Sequence, residues 1–242
     1  MTQPPQAKSP VSITYFGHCA FLWETAQGIR ALADPYRNQA GRYWFTRQFP
    51  GVECDVGLIT HAHFDHDAAD RLPEEASLIR TPASFQQQDL AIQGVLDLHA
   101  GRSGLRGMAN VMFLLETGGI RFLHMGDNRA DWPGSVTEAV GSVDVLMVTV
   151  DDSCHLLSYQ EVDLVVDRVN PRLVIPMHYR APDLMPESCG LKGVDEWLAT
   201  QPNAKHLNGH SISLTREDLP STGEVWVFQP SPASLSAPRV EV

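Results

Sequence analysis

Basic residues are scarce in this chain, which has 18 Lys and Arg residues against 29 Asp and Glu and a net charge of −11 at pH 7. A large nucleic-acid-binding surface needs clustered positive charge, so the composition argues against nucleic acid as a partner. An anionic substrate is not excluded, because bound metal cations would dominate the electric field inside a site. We therefore expect a small-molecule substrate, with anionic compounds among the candidates.

Long apolar segments and paired cysteines are also missing. No stretch approaches the roughly 18 apolar residues of a membrane-spanning helix, and the start, MTQPPQAKSP, lacks the apolar segment of a signal peptide. None of the four cysteines forms a CxxC pair, which argues against a structural zinc site made of thiolates. We expect no integral membrane association, and a reducing, cytoplasmic setting with free thiols.

The length and composition suit one folded domain. The chain has 242 residues, of which 43% are hydrophobic, and this is enough for one sizeable core. Residues 1–10 are rich in Pro and Gln and are predicted to form a disordered tail, and residues 231–242 a second loose tail. Since no linker, repeat or low-complexity segment interrupts the rest, residues 11–230 are predicted to form a single domain.

Short strands and a few helices alternate in the predicted secondary structure. The predicted strands are VSITYF, AFLWE, IRALAD, DVGLIT, SLIRT, GVLDL, VMFLLE, IRFLHM, VDVLMVTV and RLVIPM. A capping box of Ser158 and Glu161 starts a predicted helix over 158–169, and a shorter helix is predicted over 192–200. Further helices are predicted after Asp65 and around PASFQQQDLAI. This mixture is typical of a layered α/β or α+β sandwich.

The segment HAHFDH places His61, His63, Asp65 and His66 directly after an apolar strand. Imidazoles and carboxylates this close repel one another or lose hydrogen bonds, unless a cation gathers them. Alternation puts His61 and His63 on one side, and the turn that follows swings Asp65 and His66 in a second direction. Imidazole and carboxylate ligands together suit Zn, Fe or Mn.

Two later residues, Asp127 in FLHMGDN and His178 in LVIPMHY, each follow an apolar strand. If these strands run parallel to the strand before His61, all these side chains lie at the same edge. Ligands collected from several strand ends are what a rigid site needs.

These motifs, in this order, resemble the metallo-β-lactamase superfamily over roughly residues 11–230. The resemblance implies a four-layer αββα sandwich with two divalent metal ions, most simply zinc, with Mn or Fe as alternatives. It also implies a further histidine, for which His99 in LDLHAG is the candidate. The implied ligands are His61, His63 and His99 for one metal, Asp65, His66 and His178 for the other, and Asp127 for both.

Other segments resemble the branch that holds L-ascorbate-6-phosphate lactonase and N-acyl-phosphatidylethanolamine phospholipase D. The segments are YFGHCAFLWE, which contains His18, and ADPY, which contains Asp34. His155 in DDSCHLLSYQEV matches a histidine of that branch and is predicted to steady the substrate or donate a proton. His18 is predicted either to lie near the site or to form its hydrogen bonds within a turn. His124 is predicted either to support a metal ligand or to pack in the core.

The implied reaction is hydrolysis by a hydroxide held between two metals, with an ester, lactone or phosphodiester as substrate. Asp65 is expected to orient that hydroxide as well as bind metal. No Gly-x-Ser-x-Gly motif offers a serine nucleophile. The alternatives are an iron-dependent oxidoreductase on the same fold, a non-catalytic metal-binding protein and a nuclease. The irregular segment YRNQAGRYWFTRQF is either a packed surface loop or a cover over the site that offers Arg37, Arg42 and Arg47 to an anion.

Overall fold

The computed structural model describes residues 9–153 and 156–240, and these ranges form two β-sheets flanked by helices. The strands are β1 (Val11–Gly17), β2 (Ala20–Glu24), β3 (Arg30–Ala33), β4 (Val56–Leu58), β5 (Ser77–Ile79), β6 (Ser84–Gln87), β7 (Leu90–Leu98), β8 (Ala109–Thr117), β9 (Ile120–His124), β10 (Val145–Thr149), β11 (Leu173–Met177), β12 (Ala204–His206), β13 (Ser211–Leu214) and β14 (Glu224–Val227). The helices are α1 (Gly101–Leu105), α2 (Gly134–Val140), α3 (Tyr159–Val169), α4 (Asp195–Leu198) and α5 (Pro232–Ser236).

Parallel strands in each sheet set the direction of the loops that follow them. The six-stranded sheet has the order β13-β1-β2-β3-β4-β5, and the eight-stranded sheet has the order β12-β14-β11-β10-β9-β8-β7-β6. Strands β3 and β4 are parallel, as are β9, β10 and β11. Because parallel strands end at the same edge, the residues that follow β9, β10 and β11 emerge side by side.

The core lies between the two sheets. Trp23 of β2 packs against β9, with its ring centroid 6.3 Å from that of Phe122 and 6.0 Å from that of His124. A second apolar cluster includes Tyr36 and Phe45, whose rings are stacked with centroids 4.0 Å apart. The segment YRNQAGRYWFTRQF, predicted to be either a packed surface loop or a cover over the site, is thus packed through these rings.

The helices cover the outer faces of the sheets, which confirms the predicted sandwich. Helix α3 begins at the predicted capping box of Ser158 and Glu161. Its buried residues Val162 and Val165 join the main core, as do Val136 and Val140 of α2. Helix α5 contacts β1 of the other sheet. In the described ranges no helix is both long and apolar enough to cross a membrane.

Two helix predictions were wrong. The segment PASFQQQDLAI forms part of a hairpin in which β6 pairs antiparallel with β7, and Phe85 faces Ile92 across it. Cross-strand pairing therefore overrides the helix propensity of the glutamines. After Asp65 the chain makes turns and a short 3₁₀ helix over Ala69–Arg71, because Pro73 follows too closely for an α-helix to continue.

The C-terminal segment also differs from the predicted loose tail. Ser231 caps α5 by accepting a hydrogen bond from the Ala233 amide, and its own amide donates to the Tyr15 carbonyl of β1 at 2.9 Å. Val240 donates its amide to the Thr46 carbonyl at 3.1 Å. Residues 231–240 are thus fixed by backbone hydrogen bonds that composition does not reveal. Residues 1–8 and 241–242, together with Cys154 and His155, lie outside the described residues.

Candidate metal centre

Four strand ends deliver the seven candidate ligands to one place. The HAHFDH segment follows β4, His99 follows β7, Asp127 follows the end of β9 by three residues, and His178 follows β11. The loops after β7 and β9 are joined, because the Ala100 amide donates to the Asp127 carbonyl at 2.7 Å. His99 and Asp127 are therefore held together by the backbone as well as by sequence order.

Tight turns aim two of these residues. Gly126 has a φ of +54°, and a Cβ there would lie 2.7 Å from Oγ1 of Thr60. Only glycine therefore suits the turn before Asp127. His178 also has a positive φ, +64°, and its amide is held by the His18 carbonyl at 3.0 Å. A left-handed non-glycine residue is strained, and such strain concentrates at functional sites.

The side chains form two neighbouring groups, in each of which the ligand-type atoms lie within 4.8 Å of one another. The first contains His61, His63, His99 and Asp127, and the second contains His18, Asp65, His66 and His178. Asp127 reaches both groups. Its Oδ2 is 3.3 Å from His99 Nε2 and 3.4 Å from His178 Nε2, and its Oδ1 is 3.4 Å from His66 Nε2. Asp127 is therefore within reach of both groups of candidate ligands.

Several of these atoms are buried without a hydrogen bond in the described part of the chain. They include Nε2 of His66, Nε2 of His99 and Oδ1 of Asp127. A buried polar atom that forms no hydrogen bond costs about 1–3 kcal/mol, so a cluster of them calls for an explanation. A divalent cation satisfies imidazole nitrogen and carboxylate oxygen together, and the residues present therefore fit a metal centre.

A second layer of hydrogen bonds fixes which ring nitrogen faces the cluster. Nδ1 of His66 donates to Oδ2 of Asp34 at 2.8 Å, Nδ1 of His178 to Oδ2 of Asp151 at 2.9 Å, and Nδ1 of His99 to the Ala100 carbonyl at 2.7 Å. With the proton on Nδ1, each neutral ring turns the lone pair of Nε2 towards the cluster. Carboxylate–histidine pairs of this kind orient metal ligands and raise their basicity.

The electrostatics keep the carboxylates ionised. Burial alone would raise the pKa of Asp127, but His178 and His66 outweigh it and hold that pKa well below its usual value. Burial would likewise lower the pKa of His66, but Asp127 and Asp34 raise it to about 10. Burial lowers the pKa of His61. Without metal the cluster therefore carries protons on some of its rings, which a bound cation replaces.

The profile of the beta-lactamase superfamily domain matches residues 12–178. The chain belongs to the metallo-β-lactamase superfamily. This agrees with the fold and with the order of its motifs, and the predicted family is confirmed.

Several proteins similar to this chain are named as metal-dependent hydrolases, and one with the same fold is named as a hydroxylase. A UPF0173 metal-dependent hydrolase of Thermococcus kodakarensis is 26% identical over 195 residues, with 70% of this chain and 84% of the relative covered. A structure from Thermotoga maritima, named as a Zn-dependent hydrolase of the superfamily, is 26% identical with a TM-score of 0.69, and the match covers 90% of this chain and 98% of that one. The diiron β-hydroxylase CmlA of Streptomyces venezuelae shares only the fold, with 16% identity, a TM-score of 0.52, and 73% and 46% coverage.

His18 belongs to the site, a question that the sequence left open. Its Nε2 donates to Oδ2 of Asp65 at 3.0 Å, and its ring centroid lies 4.1 Å from that of His178. Burial lowers the pKa of His18 to about 4, so the ring is neutral at pH 7. The adjacent Cys19 is buried, and its thiol lies in one group with His66 and Asp127.

His124 packs in the core rather than in the ligand set. Its Nε2 donates to the Cys19 carbonyl at 2.9 Å, and its ring lies next to those of Phe21 and Trp23, with centroids 6.2 and 6.0 Å away. The ring is fully buried. Of the two predicted roles for His124, the structure therefore supports core packing.

Two supporting carboxylates were not assigned from the sequence. Asp34 was noted only as part of a resembling segment, yet it binds His66 and also accepts hydrogen bonds from Thr60. In the segment DDSCHLLSYQEV the sequence pointed to His155 as a functional residue and not to Asp151. The signal for Asp151 was its place directly after the apolar residues of β10, since Asp127 and His178 also follow buried parallel strands.

A cavity of about 650 Å³ opens beside the candidate metal ligands. The lining is made by His63, Asp65, His99 and Asp127, by Trp44, Phe64, Cys189 and Gly190, and by Arg42, Arg102, Arg106, Ser103 and Ser153. Of the three arginines proposed from the sequence, only Arg42 lines it. Arg37 pairs with Asp70 at 3.5 Å, and Arg47 donates to the Ala237 carbonyl at 2.8 Å.

Proposed function

We propose that this protein is a metal-dependent hydrolase that cleaves an ester, lactone or phosphodiester bond at a dinuclear metal centre. The observation that carries the proposal is the convergence of seven imidazole and carboxylate side chains, some with buried atoms that form no hydrogen bond, beside an open cavity that four of them line. The names of the Thermococcus and Thermotoga relatives support hydrolysis as the reaction. That Thermotoga name also supports zinc as the metal, with Mn or Fe as alternatives.

Paired cations, when bound, lower the pKa of a water molecule and stabilise charge that develops on a carbonyl or phosphoryl oxygen. The described thiols beside the candidate metal site are poor nucleophiles at neutral pH, and burial raises the pKa of Cys189 in the cavity lining. Burial raises the pKa of the Cys19 thiol well above its usual value, so this group stays protonated at neutral pH. The protein's own contribution is therefore to hold, orient and surround the metal site.

Asp65 has a role beyond ligation in this proposal. Its Oδ2 lies 3.0 Å from His18 Nε2 and 3.5 Å from His178 Nε2, and the residue lines the cavity. Burial alone would raise its pKa, but the neighbouring His178 and His18 hold the pKa well below its usual value. An ionised carboxylate fixed in this way can orient a water molecule for attack on a substrate in the cavity.

We further propose that the nearest branch is the one with L-ascorbate-6-phosphate lactonase and N-acyl-phosphatidylethanolamine phospholipase D. The positions of His18 and Asp34, both from the segments that resemble this branch, support the proposal because each contacts a candidate ligand. A cytoplasmic setting is proposed as well. Of the described cysteines, Cys19, Cys54 and Cys189 are free, as expected in a reducing compartment.

An assay of phosphodiesters, lactones, carboxylic esters and thioesters, on protein of known metal content, tests this function. We expect hydrolysis of one bond class that disappears when the metals are removed and returns when Zn or Mn is restored. Protein with both sites filled that hydrolyses none of them, but consumes oxygen in an iron-dependent manner, would support the oxidoreductase alternative instead.

His155 remains a predicted catalytic residue. We expect His155→Ala to retain both metals and to lose about 10²–10⁴-fold in kcat/KM, the usual contribution of positioned proton transfer. Metal analysis and steady-state kinetics on the same preparation check this. Unchanged kinetics would end the catalytic assignment, and loss of metal would make His155 a ligand.

A further inference from the structure

We propose that Arg42, Arg102 and Arg106 form an anion-binding subsite at the rim of the metal cavity. The subsite would hold a phosphate or carboxylate group of the substrate, at a distance from the bond that is cleaved. The identity of this ligand as a substrate rests on the proposed hydrolase function, whereas the subsite itself can be tested by binding alone.

The charge distribution is the first argument. The chain carries a net charge of −11, yet three arginines line the cavity that also contains His63 and Asp65. None of the three side chains forms a hydrogen bond or ion pair with any residue that the structure describes. Other arginines are neutralised locally: Arg80 by Asp67 at 2.7 Å and Arg129 by Asp97 at 2.8 Å. The guanidinium groups at the cavity are thus available to a ligand.

The backbone fixes where these arginines stand relative to the metal site. Arg102 and Arg106 are four residues apart, at the start and just past the end of α1, so they share one side of it. Helix α1 begins two residues after His99, and a Cβ on Gly104 would lie 1.7 Å from the His99 carbonyl oxygen. The helix is therefore packed directly on the loop that carries a candidate ligand.

Arg42 approaches from a separate loop. Its amide donates to the Gln39 carbonyl at 2.9 Å and its carbonyl accepts from the Gln39 amide at 3.2 Å. These two bonds close a tight turn that holds the backbone of Arg42. Arginines from two independent elements thus line one cavity, an arrangement suited to a group with several acceptor oxygens.

The shape of the cavity narrows the ligand class. Its volume of about 650 Å³ suits a small molecule. Trp44 and Phe64, whose ring centroids are 5.3 Å apart, contribute an apolar wall. Planar guanidinium groups bind phosphate and carboxylate through paired hydrogen bonds. The inferred substrate is therefore small, with a hydrolysable bond at the metal site, an apolar middle part and an anionic group at the rim.

Calorimetric titration of the metal-loaded protein with phenyl phosphate, benzoate and benzyl alcohol tests the subsite. We expect at least one of the two anions to bind about tenfold or more tightly than the neutral alcohol. The anion that binds more tightly shows whether the subsite prefers a phosphate or a carboxylate group. The triple variant with R42Q, R102Q and R106Q should bind that anion about tenfold or more weakly. A tenfold loss of affinity corresponds to about 1.4 kcal/mol of binding free energy. The matched control is Arg239→Gln, an exposed arginine outside the cavity lining, and it should bind like the wild type.

Anions also bind metals directly, so dependence on the arginines is the decisive result. Equal anion affinity in the wild type and the triple variant, at equal metal content, would overturn the subsite.

A kinetic comparison separates this inference from the proposed function. Paired esters that differ only in an anionic or a hydroxyl group at the far end should differ about tenfold or more in kcat/KM, and the triple variant should reduce that ratio towards one. Hydrolysis with no charge preference would overturn the subsite alone. Arginine-dependent anion binding without hydrolysis of any ester, lactone or phosphodiester would support the subsite while the hydrolase proposal failed.

Discussion

Asp127 is the residue that lies within reach of both groups of candidate ligands. Its two carboxylate oxygens lie 3.3–3.4 Å from ring nitrogens of His99, His178 and His66, which belong to both groups. A neighbouring histidine, His124, is as fully buried but packs among aromatic rings. The two residues are three positions apart in sequence, so they make a matched pair for mutation.

Asp127→Ala should lose metal from both sites and reduce activity by about 10³-fold or more, beyond the 10–100-fold typical of supporting residues. His124→Ala should keep its metals and lose about 1–3 kcal/mol of unfolding free energy, because it removes a buried hydrogen bond to the Cys19 carbonyl. Elemental analysis and thermal denaturation of both variants check this. Equal effects of the two substitutions on metal content would count against a bridging role for Asp127.

Asp151→Asn should weaken metal binding about 10–100-fold without unfolding the protein. The Asp151 carboxylate accepts the Nδ1 proton of His178 at 2.9 Å, and an amide in its place can hold the ring in the wrong orientation or tautomer. Competition with a chelator measures the affinity. The control Asp131→Asn changes an exposed carboxylate and should leave it unaltered. If both variants bind metal like the wild type, Asp151 does not support the site.

At the scale of elements, the site depends on how closely α1 packs on the loop after β7. Gly104 lies so near the His99 carbonyl that no side chain fits between them. The same short helix and the residue that follows it place Arg102 and Arg106 at the cavity. One glycine therefore couples the position of a candidate metal ligand to that of the anion subsite.

Gly104→Ala should shift α1, displace His99 and lower occupancy of the first metal site by about tenfold, the scale of effect seen when a ligand loses its support. Gly134→Ala, at the start of α2, meets no atom within 4 Å and serves as control. Metal titration of both variants, with far-UV circular dichroism to monitor folding, checks the prediction. Normal occupancy after Gly104→Ala would argue that His99 is not a ligand.

Elements with a strong local pattern were predictable from the sequence. The capping box predicted the start of α3, and Gly118 and Gly119, both with positive φ, form the tight turn between β8 and β9. The hairpin of β6 and β7 was mistaken for a helix because its stability comes from pairing between strands. Such pairing depends on neighbours that local propensity does not include.

At the scale of the whole molecule, the sandwich brings together residues that are distant in sequence. The motif HAHFDH and the strand-end positions of Asp127 and His178 were visible in the sequence because each follows an apolar strand. The contacts of His18 with Asp65 and of Asp34 with His66 span 47 and 32 positions. They could not be derived locally, since they depend on how β1, β3 and β4 are ordered in the sheet.

The metal content of the purified protein tests the central claim most directly. Elemental analysis after mild purification, repeated after exposure to Zn or Mn, should give close to two divalent ions per chain. The reason is that the candidate ligands form two groups, in each of which the ligand-type atoms lie within 4.8 Å of one another, and the Asp127 carboxylate lies close to both. A firm value of one ion per chain that does not rise on addition of Zn or Mn would contradict the dinuclear centre.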